Sequence, residues 1–252
     1  MTDSRPVDRV PVLRPLIFGN GPAVIAAVST RNGGVSPPPL GMNLSFRVGD
    51  RADNVRRNRE LYFGSLGIRT TDLAIPGQIH GTAVFRVEGP GSYPECDGLI
   101  TRARCVFLTV SVADCVPILL YDPVIPAIAA VHAGWRGTVG RIVDAAVRAM
   151  ERSYSVDPCR LRAYLGPAAS SCCYVVGEDV ASRFESRFTR RDGARVRVDL
   201  KGANLQQLLD RGVPAGQIEM SPFCTVCESL QFHSYRRDGE RSGRMIAVIG
   251  LV

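Results

Sequence analysis

Val106-Phe107-Leu108-Thr109-Val110-Ser111-Val112-Ala113-Asp114-Cys115-Val116-Pro117-Ile118-Leu119-Leu120-Tyr121-Asp122-Pro123 decides the fold class of this 252-residue chain. Two short apolar runs rich in β-branched residues, 106–112 and 116–121, read as buried strands, and Asp122-Pro123 stops the second. A third run, Ile125 to Val131, ends at His132. His132-Ala133-Gly134-Trp135-Arg136-Gly137-Thr138 follows, and Thr138 opens the clearest helix. Val139, Ile142, Val143, Ala146, Val147 and Met150 are spaced 3-1-3-1-3, one apolar stripe. The Trp135–Thr138 segment is therefore expected at a helix N-terminus, where backbone N–H groups and the dipole favour an anion.

Working outward, Ala23 to Thr30 is a β-prone run closed by the turn Arg31-Asn32-Gly33-Gly34. Pro37-Pro38-Pro39 and the segment to Asp50 form a long loop, a kind often functional. Asp53 is placed to cap a helix reaching about Leu66. Short strands are expected at 73–75, 84–87, 99–101, 161–165, 196–198 and 245–249. Helices are expected near 178–187 and 200–209, with 223–232 irregular and 234–239 turn-like. There is no internal repeat and no low-complexity linker, so the expectation is one domain with a mixed sheet and outer helices. Residues 1–15 are polar and Pro-containing, without the apolar core of a signal peptide, and read as a loose arm ahead of a domain over 16–252. No apolar run is long enough to span a bilayer. A cytoplasmic protein is expected.

The net charge is +7, and Lys201 is the only lysine, so thirty of the 31 basic residues are arginine. That excess suits an anionic small molecule such as phosphate or a nucleotide. The arginines are scattered, without a basic stripe interleaved with aromatics, which argues against nucleic acid. The cluster Arg56-Arg57 with Arg59 reads as a solvated helix face. Neither a Walker loop nor a dinucleotide fingerprint is present.

The chain has three histidines and eight cysteines. Eight cysteines in a chain this long do not read as a disulfide framework. Cys224-x-x-Cys227 is half of a zinc-ribbon pattern. It has no second half, and the adjacent Cys172-Cys173 suggest poor chelating geometry, so reduced thiols are expected there. His80, in Gln78-Ile79-His80-Gly81, and His132 both sit where a strand-like run meets glycine, and Cys115 lies between two strands. A histidine on an apolar run is ordinarily a satisfied core residue, and a buried cysteine is ordinarily inert. The strand-end setting of all three instead suits a three-ligand zinc site with an open fourth position, or a Cys–His nucleophilic pair. Separations of 35 and 17 residues (115 − 80 and 132 − 115) match no local zinc-finger spacing.

Further stretches complete a pattern: Thr30-Arg31-Asn32-Gly33-Gly34-Val35-Ser36, Asn43-Leu44-Ser45, Val48-Gly49-Asp50, Asp97-Gly98-Leu99-Ile100-Thr101, Asp114-Cys115-Val116-Pro117, His132-Ala133-Gly134-Trp135-Arg136-Gly137, Gly166-Pro167, Cys173-Tyr174, Cys224-Thr225 and Ser234-Tyr235-Arg236-Arg237-Asp238. With these the chain resembles the laccase-domain family, also called multicopper polyphenol oxidase-like proteins, which act as zinc-dependent purine nucleoside phosphorylases. The resemblance covers nearly the whole chain after the arm. It implies a four-layer α/β/β/α sandwich with mixed sheets, in the α/β (α+β) class. It implies His80, Cys115 and His132 as zinc ligands. It also implies phosphorolysis of adenosine, inosine and methylthioadenosine, with adenosine deamination as a second activity. Cys96, Cys172 and Cys227 receive no role from it.

The chemistry accords with those residues. Phosphorolysis needs a phosphate dianion held near the anomeric carbon, and a zinc ion with an open position can bind and orient phosphate or sugar. Arg31, Arg136 and the helix start at Thr138 are candidate anion partners, with a structural ion pair the competing reading for Arg136. Asp114 is a candidate base or orienter of a histidine, or a turn cap. Asn43, Gln78 and Tyr174 are candidates to hydrogen-bond ribose or base, and Phe223 to stack on a purine. The expected partners are purine nucleosides and phosphate, with no nucleic acid and no membrane, in a monomer or homodimer. Cu²⁺ could occupy the same ligands. Three histidines are too few for the coupled oxygen-reducing cluster of a multicopper oxidase, so phenol oxidation would be incidental. A metal-free Cys–His amide hydrolase acting on cell-wall precursors, with Cys115 as nucleophile, and a regulatory binder with a vestigial site are the remaining alternatives.

Overall fold

The computed structural model describes residues 10–19 and 23–252, so most of the predicted arm lies outside the described residues. Within the arm, β1 (Val12–Leu13) is a short strand, a correction to a wholly loose segment: it pairs antiparallel with β2 (Val24–Ser29). The chain continues through α1 (Ala52–Ser65), β3 (Leu73–Pro76), β4 (Val84–Arg86), β5 (Gly91–Tyr93) and β6 (Gly98–Thr101). Next come β7 (Phe107–Val112), β8 (Val116–Asp122), β9 (Ala127–Ala133), α2 (Trp135–Val139) and α3 (Ile142–Tyr154). The remainder holds β10 (Arg162–Leu165), β11 (Val175–Val176), α4 (Glu178–Ala181), β12 (Thr189–Asp192) and β13 (Arg195–Val198). It ends with α5 (Leu200–Asp210), β14 (Ile218–Met220), α6 (Tyr235–Asp238) and β15 (Met245–Leu251).

Two six-stranded sheets result, ordered β1-β2-β15-β7-β3-β5 and β14-β10-β8-β9-β6-β4, with β11-β13-β12 as a small third sheet. Both large sheets are mixed: β3 runs parallel to β5 and β7, and β10 to β14, while β8 and β9 are antiparallel. The period of two along each strand explains the layering. Val116, Ile118 and Leu120 of β8 pack on Val143, Val147 and Met150 of α3, whereas Leu119 and Tyr121 face Val28, Val110 and Ile249 of the first sheet. The first sheet's other face, with Ala27, Ile246 and Val248, is covered by Tyr62, Phe63 and Leu66 at the end of α1. The layers are therefore helix, sheet, sheet, helix. Periodicity predicted one mixed sheet. The central strands are buried on both faces, and a fully apolar run does not disclose whether a helix or a second sheet covers it.

Several boundaries differ from expectation. Asp53 is not a cap: the N-cap position is Arg51 without a side-chain cap, and Asp53 pairs with Arg56 (2.6 Å) in the first turn. The helix expected from Thr138 is two helices. The first starts at Trp135 behind Gly134, Arg141 adopts a left-handed φ of 63°, and the second runs from Ile142. Thr138 lies near the end of α2, not at a helix start, and its hydroxyl accepts from Asn204 Nδ2 of α5 (2.9 Å). That removes it as an anion cradle. The helix expected over 178–187 closes after one turn, with a 3₁₀ turn at Ser186–Phe188. No helix of the described residues is long and apolar enough to cross a membrane.

Candidate metal centre

The register of β8 and β9 brings two of the predicted ligands together. Pro117 pairs with His132, and Val116 with Ala133, so Cys115, one residue before β8, lies opposite Gly134. Cys115 and Pro117 share a face of the strand, and His132 opposite Pro117 shares it too. That face looks into the layer between the sheets. His80 arrives from the other sheet, four residues after β3 ends. The ligand atoms of His80, Cys115 and His132 all lie within 4.8 Å of one another. The imidazoles meet edge-on, ring centroids 4.9 Å apart at 81°. His132 is buried and His80 is exposed, so the centre has a wall and an opening.

Asp97 assembles the centre. Its carboxylate accepts the backbone N–H groups of Ile79 (3.1 Å), His80 (2.9 Å) and Gly81 (2.7 Å), and it accepts His132 Nδ1 at 2.7 Å. The proton on Nδ1 leaves Nε2 free for a ligand, the usual carboxylate–histidine–metal relation. Those anchored N–H groups hold the 78–81 turn, in which Gln78 and His80 take φ of 55° and 62°. Burial raises the Asp97 carboxyl, but bonds from His132 and Gly81 outweigh it and hold it below the usual range. Burial likewise pushes the Cys115 thiol up, and the imidazoles of His132 and His80 more than reverse this, to about 6. Asp97-Gly98 reads in sequence as a turn, and nothing local to it signals a bond to His132.

The donor set fits zinc. Two imidazoles and one thiolate are borderline-soft donors, and three protein ligands leave the open position of a catalytic site. Gly134 supports that reading sterically: a Cβ there would lie 3.0 Å from His80 Cδ2 and 3.1 Å from Cys115 Sγ. The absence of a side chain keeps the space beside the donors clear.

The remaining predicted residues divide. Asp114, at φ 87°, accepts Thr225 Oγ1 (2.7 Å) on one oxygen and Arg236 N (2.6 Å) on the other. It therefore pins loops, and orienting the histidine falls to Asp97, a correction. Asn43 is fully buried, its amide bonded to Ser45 O and Asp50 and its oxygen accepting from Ser45 and Arg244 N–H. It has no group left for a ribose, also a correction. Gln78 gives both ends of its amide to the backbone of Ser111 on β7, fastening the His80 turn to the first sheet. Arg31 donates to the carbonyls of Ser229 and Pro39 (2.7 Å each), holding two loops.

Three predicted residues are not tied up in holding loops. Arg136, two residues after Gly134, is exposed and stacks on Trp135, 4.3 Å to the ring centroid. Tyr174 is buried under the Arg236 guanidinium (4.8 Å), and burial together with Cys115 pushes its phenol up to about 12. Phe223 packs on Phe232 (5.6 Å), in the same small apolar cluster that Cys115 packs against. Sequence reasoning also missed His233, which is fully buried with no hydrogen-bond partner on either ring nitrogen among the described residues.

Two stacked mixed sheets with helices outside, and a His–Cys–His cluster at the seam between the sheets, define a class of four-layer α/β proteins. The chain belongs to the multi-copper polyphenol oxidoreductase laccase family, whose model matches residues 25–252. It is 41% identical over 246 residues to a protein of Deinococcus radiodurans named purine nucleoside phosphorylase, covering 94% of this chain and 93% of the relative. It is 36% identical to adenosine deaminase RL5 from an unknown prokaryotic organism, covering 92% and 96%. The crystal structure of YlmD from Geobacillus stearothermophilus superimposes with a TM-score of 0.90 at 31% identity, covering 100% of this chain and 98% of that one.

Proposed function

We propose that this chain is a zinc-dependent purine nucleoside phosphorylase that cleaves adenosine, inosine and methylthioadenosine with phosphate, with adenosine deamination as a second activity. The observation that carries the reading is the convergence of His80, Cys115 and His132 within 4.8 Å around an open side. The names of the Deinococcus relative and of RL5 support the two activities. On this reading it is a cytoplasmic enzyme of small diffusible substrates.

A zinc ion held by His80, Cys115 and His132 would supply Lewis acidity, orienting an oxygen ligand and easing loss of its proton. The protein's own groups supply the rest. Asp97 fixes the His132 ring and the His80 turn, so the donors need no reorganisation. Arg136, exposed on Trp135 two residues after Gly134, is the cation suited to a phosphate dianion. Tyr174 keeps its proton at neutral pH and is a hydrogen-bond donor toward ribose or base. Phe223, on the apolar side of Cys115, offers a face for a purine.

One further reading has its own observation. Cys115, His132 and Asp97 stand as nucleophile, base and orienter, the arrangement of a cysteine amide hydrolase. Mass-spectrometric product analysis separates them. Zinc-loaded protein with adenosine and phosphate should yield adenine and ribose 1-phosphate, and Cys115→Ala should yield neither. Inosine alone would leave only the deaminase. No conversion with zinc bound would overturn the nucleoside reading.

A further inference from the structure

Four thiols outside this centre converge. Cys172 and Cys173 lie in the turn before β11, and Cys224 and Cys227 in the turn after β14. The two turns are joined by a bridge between Ala168 and Cys224, with Thr225 N donating to Ala168 O (3.1 Å). All four sulfurs lie within 4.8 Å of one another, with Cys172–Cys227 at 3.7 Å and Cys173–Cys227 at 3.3 Å. A disulfide needs about 2.0 Å, so no pair is bonded. Four zinc–sulfur bonds of about 2.3 Å in a tetrahedron require sulfurs about 3.8 Å apart. Adjacency of Cys172 and Cys173 suggested poor chelation, because neighbours in extended chain point apart. Here the turn brings both sulfurs to Cys227.

A second observation points to a cation. Cys224 Sγ, buried, accepts the backbone N–H of Ser170 (3.5 Å). A neutral thiol is a weak acceptor, so a backbone N–H aimed at this buried sulfur suits a thiolate. Thiolate-only donors select zinc among the common divalent ions.

We propose that Cys172, Cys173, Cys224 and Cys227 hold a second divalent metal, zinc, in a closed tetrathiolate site that clamps together the two loops walling the His80–Cys115–His132 centre. Binding forms four metal–sulfur bonds and releases the thiol protons to solvent, with no change of oxidation state. The clamp is structural, because four protein ligands leave no open position. Its reach to the first centre is short. Tyr174 follows Cys173 directly, and Thr225, next to Cys224, donates to Asp114 Oδ1 beside Cys115.

Elemental analysis of full-length protein purified under reducing conditions tests the site without reference to activity. Two zinc ions per chain are expected, with one left in Cys115→Ala and one left in Cys224→Ser/Cys227→Ser. If that double variant does not fold, cobalt substitution of Cys115→Ala decides: it should still show the strong visible absorption of a tetrahedral cobalt thiolate. Alkylation gives an independent readout. In zinc-loaded protein the exposed Cys105 and Cys159 should label while Cys172 and Cys227 stay protected until chelator is added. One zinc per chain, abolished by Cys115→Ala, with Cys172 and Cys227 freely labelled or a Cys173–Cys227 disulfide in the peptide map, would overturn the proposal. Loss of nucleoside turnover alone bears on the first centre, not on this one.

Discussion

Asp97 reaches both sheets' contributions to the metal centre at once, through His132 of β9 and the backbone of the His80 turn. Asp97→Asn keeps the shape but turns one acceptor into a donor. It should lower zinc affinity at that centre about 10- to 100-fold, the usual cost of losing a histidine's outer partner. Chelator competition on the folded variant measures this, and an unchanged affinity would show that Asp97 only braces the turn. Gly134 makes the complementary case. Its φ of −76° and ψ of 175° are open to any residue, so alanine there costs little in the backbone. The added methyl, 3.0 Å from one ligand and 3.1 Å from another, should crowd the donors. Gly134→Ala is expected to show wild-type circular dichroism and strongly reduced zinc occupancy of the centre. Full occupancy would mean that the ligands can move aside.

At the scale of elements, what the sequence disclosed follows the range of the interactions. The apolar stripe of α3 was legible because a helix repeats within a few residues: Val143, Val147 and Met150 are all buried against β8 and β9. Met150→Ala should therefore cost about 2–5 kcal/mol, read as a lower urea midpoint with unchanged slope. No loss would mean that the face repacks. The break between α2 and α3 was not legible. It falls at Gly140, where a Cβ would lie 2.5 Å from the methyl of Thr82, a neighbour 58 positions away (140 − 82). The short edge strands β1, β5, β12 and β14 escaped for the opposite reason, being two to four residues long with little pattern to read. The candidate ligands His80, Cys115 and His132 could be nominated by residue type and strand-end position. Asp97, the loop-holding role of Asn43 and the gathering of four thiols depend on tertiary register, which local pattern does not carry.

At the scale of the molecule, the 221–244 segment bonds to loops of both sheets, through Gln231 O to Arg31 N and Thr225 N to Ala168 O, and His233 lies buried within it, between Phe232 and the approach to β15. The charged groups facing it are Arg31 from the first long loop, Arg244 from the approach to β15, and Arg237 and Asp238 from α6. Burial, and then the Arg31 and Arg244 cations, push its imidazole down to about 3. An unfolded chain would bind that proton near 6.5. Between these values the unfolded state holds more protons than the folded one, so stability rises with pH there. The contribution is fully present above about 6.5 and is lost as pH falls, at a limiting slope of roughly 1.4 kcal/mol per unit, until the folded form also protonates near 3. Urea unfolding at pH 7 and pH 5 should differ by about 2 kcal/mol from this group. In His233→Leu, which keeps an apolar side chain in the same space, the absolute stability can shift either way while the pH 7-to-5 difference shrinks by about that amount. The two proteins differ only at this side chain, so the change in the pH 7-to-5 difference reads His233. Parallel pH profiles would mean that its ring is reached by water in the folded state.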